Sequence, residues 1–315
     1  MHNIEIYIPS LKENLYFKAI TTSQQKDIYK NLLNNNNTPA FILCINDIIK
    51  HNIEKKHKDI INNLTVLDKL LILLKLRYVS MGWCIELEVT QESKAIKYDY
   101  DIINVYENLS KQADAIQPLI INLNSLYIKC FIPQLINETA LYKITTEKTP
   151  LYINDISLYF INCIIINNVN VQYSSLTLEE KKEIYSNLPA SITRDIEVYV
   201  LELLEKFNTI CLYSILDIKL YFNIIGSSYT DYIKFIIERD LYNIYQEIYI
   251  LTKHANVSAD YVEKMTSVER DIYLSMLKQE KKIMEETASI PDMDTPISIN
   301  KELDEIDVFK QTMGG

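Results

Sequence analysis

The 315-residue chain predicts an α+β fold, with an N-terminal mixed helix and strand region followed by a mainly helical C-terminal half. Three observations carry the prediction. Residues 3–8 alternate polar and apolar side chains, the period of a half-buried strand. Thr22, Thr177 and Thr266 each precede Gln or Glu by three residues, a capping pattern that introduces apolar residues at helical spacing. Helices and strands also fall in separate blocks, which argues against a doubly wound sheet.

In chain order, Asn3 to Ile8 reads as a strand, Pro9 to Asn14 as a turn and Leu15 to Ile20 as the partner strand of an opening hairpin. Thr22 with Gln25 caps a helix running to about Leu33, broken by the asparagines at 34–37. Pro39 starts a second helix with Phe41, Ile45, Ile48 and Ile49 on one face. Thr65 caps a third, carrying Leu67, Leu70, Leu71, Leu74 and Tyr78, and Gly82 ends it. Trp83 to Val89 alternates as a strand, and residues 94–170 read as further strands, clearest at 96–100, 127–131 and 161–171.

After Tyr173 the pattern turns helical. Thr177 with Glu180 opens a helix that stops before Pro189, and residues 190–207 place Ile192, Ile196, Tyr199, Leu203 and Phe207 on one stripe. An apolar stretch at 210–225 is followed by one long helix at 229–253 and by a last helix from Thr266 to about Glu286. Beyond Thr287, two prolines and excess acid predict a mobile tail with a short helix at 301–309. Three units result: an α+β domain at 1–173, a helical domain at 174–286 and an acidic tail at 287–315.

Charge and composition exclude several classes. Lys plus Arg number 32 and Asp plus Glu 42, a formal net charge of −10. Such a chain repels phosphate backbones, so no nucleic-acid partner is expected. The most basic stretch, Lys50 to Lys58, contains Glu54 and lies between apolar helical segments, as a solvated surface does. From Glu286 onward seven acids meet two lysines, a net −5 that is half of the total. No run reaches about 18 apolar residues and the first ten residues are not a signal peptide, so a soluble protein made in a cytoplasm is expected, without a membrane partner.

The five cysteines, Cys44, Cys84, Cys130, Cys163 and Cys211, stand among apolar residues and far apart, and are expected to be buried and reduced. His2, His51, His57 and His254 form no metal-ligand spacing, and His254 follows an apolar helix whose last carbonyls it can meet. With only 4 glycines there is no phosphate-cradling loop and no nucleophile elbow. The carboxylate pairs Glu179-Glu180 and Asp304-Glu305 sit on capping or solvated stretches. No catalytic residue, cofactor or metal ligand is therefore assigned. The aromatic residues Tyr221, Tyr229, Tyr232, Phe235, Tyr242, Tyr245 and Tyr249 exceed what one buried helix face needs. Because tyrosine combines apolar area with a polar tip, they favour partner binding over catalysis.

Three blocks carry a family resemblance. The first runs from Leu15-Tyr-Phe-Lys-Ala-Ile-Thr-Thr through Phe41-Ile-Leu-Cys-Ile-Asn-Asp-Ile-Ile to Leu74-Lys-Leu-Arg-Tyr-Val-Ser-Met-Gly. The second is Ile164-Ile-Ile-Asn-Asn-Val with Leu176-Thr-Leu-Glu-Glu-Lys and Leu188-Pro-Ala-Ser-Ile, and the third is Ser258 to Tyr273. Together they resemble the baseplate hub assembly proteins of T-even-type myoviruses. Some relatives carry a cysteine-rich ribbon where this chain has Glu92-Ser93-Lys94, so no metal-stabilised insertion is expected. The resemblance implies a non-enzymatic tail protein that helps assemble the baseplate central hub by binding phage hub or tape-measure proteins, in the host cytoplasm. A structural hub subunit retained in the virion tail baseplate is the near alternative, and an enzyme with a site built from dispersed residues the distant one.

Overall fold

The alternation at the N-terminus forms β1 (Ile4–Ile8), paired antiparallel with β2 (Glu13–Phe17). Ile4, Ile6, Ile8, Leu15 and Phe17 make one buried face. The second strand ends at Phe17 rather than Ile20, because the Lys18 amide turns away to donate to the Asn52 carbonyl at 2.8 Å. The computed structural model describes residues 3–33, 38–91, 94–123, 125–147, 152–171, 173–208, 211–215, 218–221, 227–237 and 241–288. They fall into two units, Met1–Tyr273 and Leu274–Gly315. The second is described only as far as residue 288, as the latter part of the last helix. His2, Glu92-Ser93 and the proposed helix at 301–309 lie outside the described residues.

Helix α1 (Thr22–Leu33) starts as expected, but its cap is one residue earlier. Thr21 and Gln24, not Thr22 and Gln25, exchange the capping bonds, at 3.1 and 3.4 Å. That register turns Thr22 and Gln25 inward, where both are fully buried. Helix α2 (Thr38–Asn52) buries Phe41, Ile45, Ile48 and Ile49 as its spacing predicts. After a 3-10 run at Lys55–Asn63, Thr65 and Asp68 form a complete capping box at the start of α3 (Val66–Met81). Helix α3 is apolar around most of its circumference and buried along nearly its whole length, the pattern of a central helix. Gly82 follows it at φ 98, a conformation that side chains with a Cβ rarely adopt.

Strands β3 (Cys84–Gln91) and β4 (Lys94–Asp101) pair antiparallel along their whole length. The next stretch corrects the expectation of strands, for it contains α4 (Ile102–Asp114), α5 (Glu138–Glu147) and the short α6 (Ile153–Ser157). Asp101 ends a strand and caps a helix at once, its carboxylate accepting from the Ile103 and Asn104 amides at 2.9 and 3.2 Å. The strand pattern before it concealed that cap. Strands β5 (Leu119–Leu123), β6 (Leu126–Cys130), β7 (Ile161–Ile166) and β8 (Val169–Val171) make a four-stranded antiparallel sheet in that order. The apolar run 161–171 is thus a hairpin. Asn167 and Asn168, at φ 50 and 63, supply the two left-handed residues of a tight primed turn.

Helix α7 (Leu178–Ser186) starts at the Thr177–Glu180 capping box, and α8 (Ala190–Asn208) buries Ile192, Ile196, Val200, Leu203 and Phe207. Tyr199 lies at the edge of that stripe and donates to the Gln117 carbonyl at 3.0 Å. The stretch at 210–225 contains the strand pair β9 (Cys211–Ile215) and β10 (Ile218–Tyr221). Residues 229–253, expected as one helix, contain two, α9 (Ser227–Ile237) and α10 (Leu241–His254). The first packs on α3 and α5, the second on α1 and on α11 (Ala259–Lys264). Thr266 with Glu269 opens α12 (Ser267–Ala288). The architecture is α+β, with most of the strands in the N-terminal part and helices dominating the C-terminal half.

Side chains satisfy the ends of α9. Arg77 Nε donates to the Ile236 carbonyl at 3.0 Å and the Tyr29 hydroxyl to that of Ile237, while the Tyr229 hydroxyl reaches the Val66 carbonyl at 2.7 Å. Burial holds the Tyr229 phenol well above its ordinary pKa. A raised folded-state pKa gives stability that is complete below about pH 10 and lost as pH rises toward the folded value. Tyr229→Phe is expected to cost about 1 kcal/mol at pH 7 in urea unfolding. Above pH 10 the variant should lose less than the parent, by up to about 1.4 kcal/mol per pH unit. Parallel alkaline profiles for the two proteins would contradict it.

Candidate partner-binding surface

The four-stranded sheet places apolar residues in rows, because directly opposed residues of antiparallel strands share a face. One row, Ile121–Ile128–Ile164–Val171, crosses all four strands and packs into the core. The next row toward the hairpin ends is Leu123–Leu126–Ile166–Val169. It continues the same apolar face, yet Leu123, Ile166 and Val169 are 52%, 36% and 65% exposed. In this row the core's cover reaches Leu126 but not Leu123, Ile166 or Val169. With strands about 4.8 Å apart, the exposed row spans ~14 Å.

A backbone hydrogen bond ties the row at its hairpin ends. The Asn167 amide donates to the Ser125 carbonyl at 2.7 Å, tying the β7–β8 turn to the neighbouring β5–β6 connection. Asn167 and Asn168 border the row, and neither brings a charge to it. An apolar strip four strands wide with neutral polar neighbours is a surface suited to covering by another protein. Nothing in the strand patterns alone shows it, since alternation gives the face and not where the cover stops.

The aromatic residues singled out in the sequence divide into two sets. Tyr229 and Tyr232 are buried and Phe235 packs against the core, with the Tyr232 and Tyr100 hydroxyls 2.6 Å apart. Tyr242, Tyr245 and Tyr249 lie exposed along one stripe of α10, and Tyr221 is exposed as well. Lys26 stands over the Tyr245 ring at 5.4 Å and Lys253 over Tyr249 at 5.3 Å. This stripe is a second exposed aromatic surface.

The remaining candidates stay apart. Lys56 pairs with Glu54 at 3.1 Å and covers the Tyr16 ring, so the basic stretch at 50–58 includes its own counter-charge. His51 gives its Nδ1 to the Asp47 carbonyl at 2.7 Å. Cys130 is fully buried, and burial pushes its thiol up to about 12. Cys44, Cys84 and Cys163 are only half-buried free thiols, less enclosed than expected. Among the described residues, no three His, Cys, Asp or Glu side chains gather as metal ligands do, and no helix is long and apolar enough to cross a membrane.

Buried cations are engaged in packing. Lys69 meets both carboxylate oxygens of Glu138, at 2.8 and 2.9 Å, and Asn46 donates to the same carboxylate at 3.0 Å. Lys181 donates to Asn137 Oδ1 at 2.8 Å and stands over the rings of Tyr159 and Tyr173 at 5.1 and 5.6 Å. Arg270 joins Glu247, Gln25, Thr22 and Ser267.

Comparison with known proteins gives one family. A family model described as T4 bacteriophage base plate protein matches residues 1–211, a span that includes the whole four-stranded sheet. No curated protein and no solved structure matches the chain.

Proposed function

The chain belongs to the T4 bacteriophage base plate protein family, and from that premise we propose that it works by protein–protein binding, without catalysis, in assembling the central hub of the baseplate. The observation that carries the proposal is the row Leu123–Leu126–Ile166–Val169, an apolar face that runs past its own cover. Hub or tape-measure proteins are the proposed partners, bound in the host cytoplasm as the tail is built. Covering the row removes apolar area from water, and the hydrogen-bonded β7–β8 turn at its edge lowers the ordering cost. Retention as a structural subunit of the virion tail baseplate is the second reading, favoured by the family's description as a base plate protein.

Co-expression of the chain with the hub and tape-measure proteins of its phage, followed by affinity capture, tests the proposal. Leu123→Glu with Val169→Glu is expected to lower capture at least tenfold while leaving the urea midpoint nearly unchanged, since both sites are exposed already. Undiminished capture would remove the row from the function. Proteomics of purified particles then separates the two readings: absence marks an assembly factor, and a fixed copy number marks a subunit.

A further inference from the structure

Helices α1 and α2 border an open groove of about 560 Å³, with Asp27 from one helix and Leu43, Cys44, Asp47, Ile48 and His51 from the other in its lining. That volume lies within the range of clefts that hold ligands or partner side chains. The floor is apolar and Leu43 is exposed at the rim. Each helix contributes one carboxylate to the lining, Asp27 from α1 and Asp47 from α2. Both also act on the Cys44 thiol, which burial first and then these two acids push up to about 11.

The nearby cations leave this negative charge in place. Lys30 approaches Asp27 only at 3.8 Å with both side chains exposed, a pair worth little. His51 is engaged with a backbone carbonyl, and Lys69 is neutralised by Glu138. Among the described residues Asp47 has no ion pair. Two acids lining one groove disfavour an acidic or purely apolar occupant and favour one that brings a cation.

We propose that the α1–α2 groove docks an apolar segment of a partner protein that presents a lysine or arginine to Asp27 and Asp47. The groove is distinct from the exposed sheet row, so either surface can fail its test without the other.

Cys44 supplies the probe. Small aliphatic disulfides ending in ammonium, carboxamide or carboxylate groups are exchanged with the full-length protein, and occupancy at Cys44 is read from its tryptic peptide. Ammonium ends are expected to exceed carboxamide ends by roughly three- to fivefold, with carboxylate ends lowest. The preference should vanish in the Asp27→Asn/Asp47→Asn double variant, whose exposed substitutions leave the fold intact. Equal occupancy by all three ends, or a preference that survives the double replacement, would overturn the proposal. In co-expression with the baseplate proteins of the phage, Asp47→Lys should lower capture of one of them at least tenfold. Unchanged capture of every one also overturns the proposal, as does a dimer in sedimentation that Leu43→Glu dissolves, which would assign the groove to a second copy of this chain.

Discussion

Arg270→Met is expected to lower the unfolding free energy by about 3–5 kcal/mol, the scale for breaking a buried charge pair from one side. Arg270 is fully buried although it lies in the first turn of α12. Its Nε donates to Glu247 at 2.9 Å, and its other nitrogens reach Gln25 Oε1 at 3.2 Å, Ser267 Oγ at 3.4 Å and Thr22 Oγ1. One guanidinium therefore joins α1, α10 and α12. Methionine keeps much of the volume but deprives Glu247 of the cation it faces and leaves the inward polar groups of α1 without their donor. Thr22 also bonds the Met265 carbonyl through both its amide and its hydroxyl, at 2.8 and 2.7 Å, so the start of α1 is fastened to the segment before α12 at the same place. Urea unfolding measures the loss, and a cost below about 1 kcal/mol would show that the junction does not hold the helices. Glu247→Gln in the Arg270→Met background should recover part of the stability, because an amide is less costly to bury than a carboxylate.

Lys69→Met should cost a similar 3–5 kcal/mol, whereas Lys181→Met should cost clearly less, about 1–2 kcal/mol. The contrast rests on what each lysine leaves behind. Lys69 and Glu138 are 0% and 4% exposed, so removing the ammonium strands a carboxylate in the core between α3 and α5. Desolvation lowers the Lys69 pKa, opposed by Glu138, and the pair persists because each partner offsets the other's burial. Lys181, also buried, meets an amide oxygen and two aromatic faces instead of a carboxylate. Its removal leaves the Asn137 amide oxygen without this donor but strands no charge, and methionine can occupy the space between the rings with favourable sulfur contacts. The double variant Lys69→Met/Glu138→Leu should regain most of the loss, since an apolar pair of similar volume replaces a buried ion pair at little cost. Equal destabilisation by Lys69→Met and Lys181→Met would refute this explanation.

Much of the fold was legible locally. The capping boxes at Thr65, Thr177 and Thr266, the alternation of β1 and the apolar stripes of α2 and α8 each lie within a few residues of one another, where spacing alone specifies geometry. Local signals failed where one segment served two elements. Asp101 closes a strand and caps a helix, and Asn167-Asn168 reverses what reads as a single apolar run. At the start of α1 the capping role falls to Thr21 and not to Thr22, which is buried beside Arg270, a residue 248 positions away.

The candidate surfaces were less legible still. Sequence marked the tyrosines of 229–249 as a group, but only packing divides the buried pair on α9 from the exposed stripe on α10. By itself the sequence determined the α+β class, the start of most helices, the acidic charge and the resemblance to baseplate proteins, because each is written in composition, spacing or short motifs. Tertiary structure alone decided that Lys69 meets Glu138 across 69 positions, that Asp27 and Asp47 line one groove, and that the row from Leu123 to Val169 emerges beyond its cover. Periodicity shows which way a side chain points. Whether anything lies above it depends on elements distant in the chain, and their placement follows from the packing of the whole core.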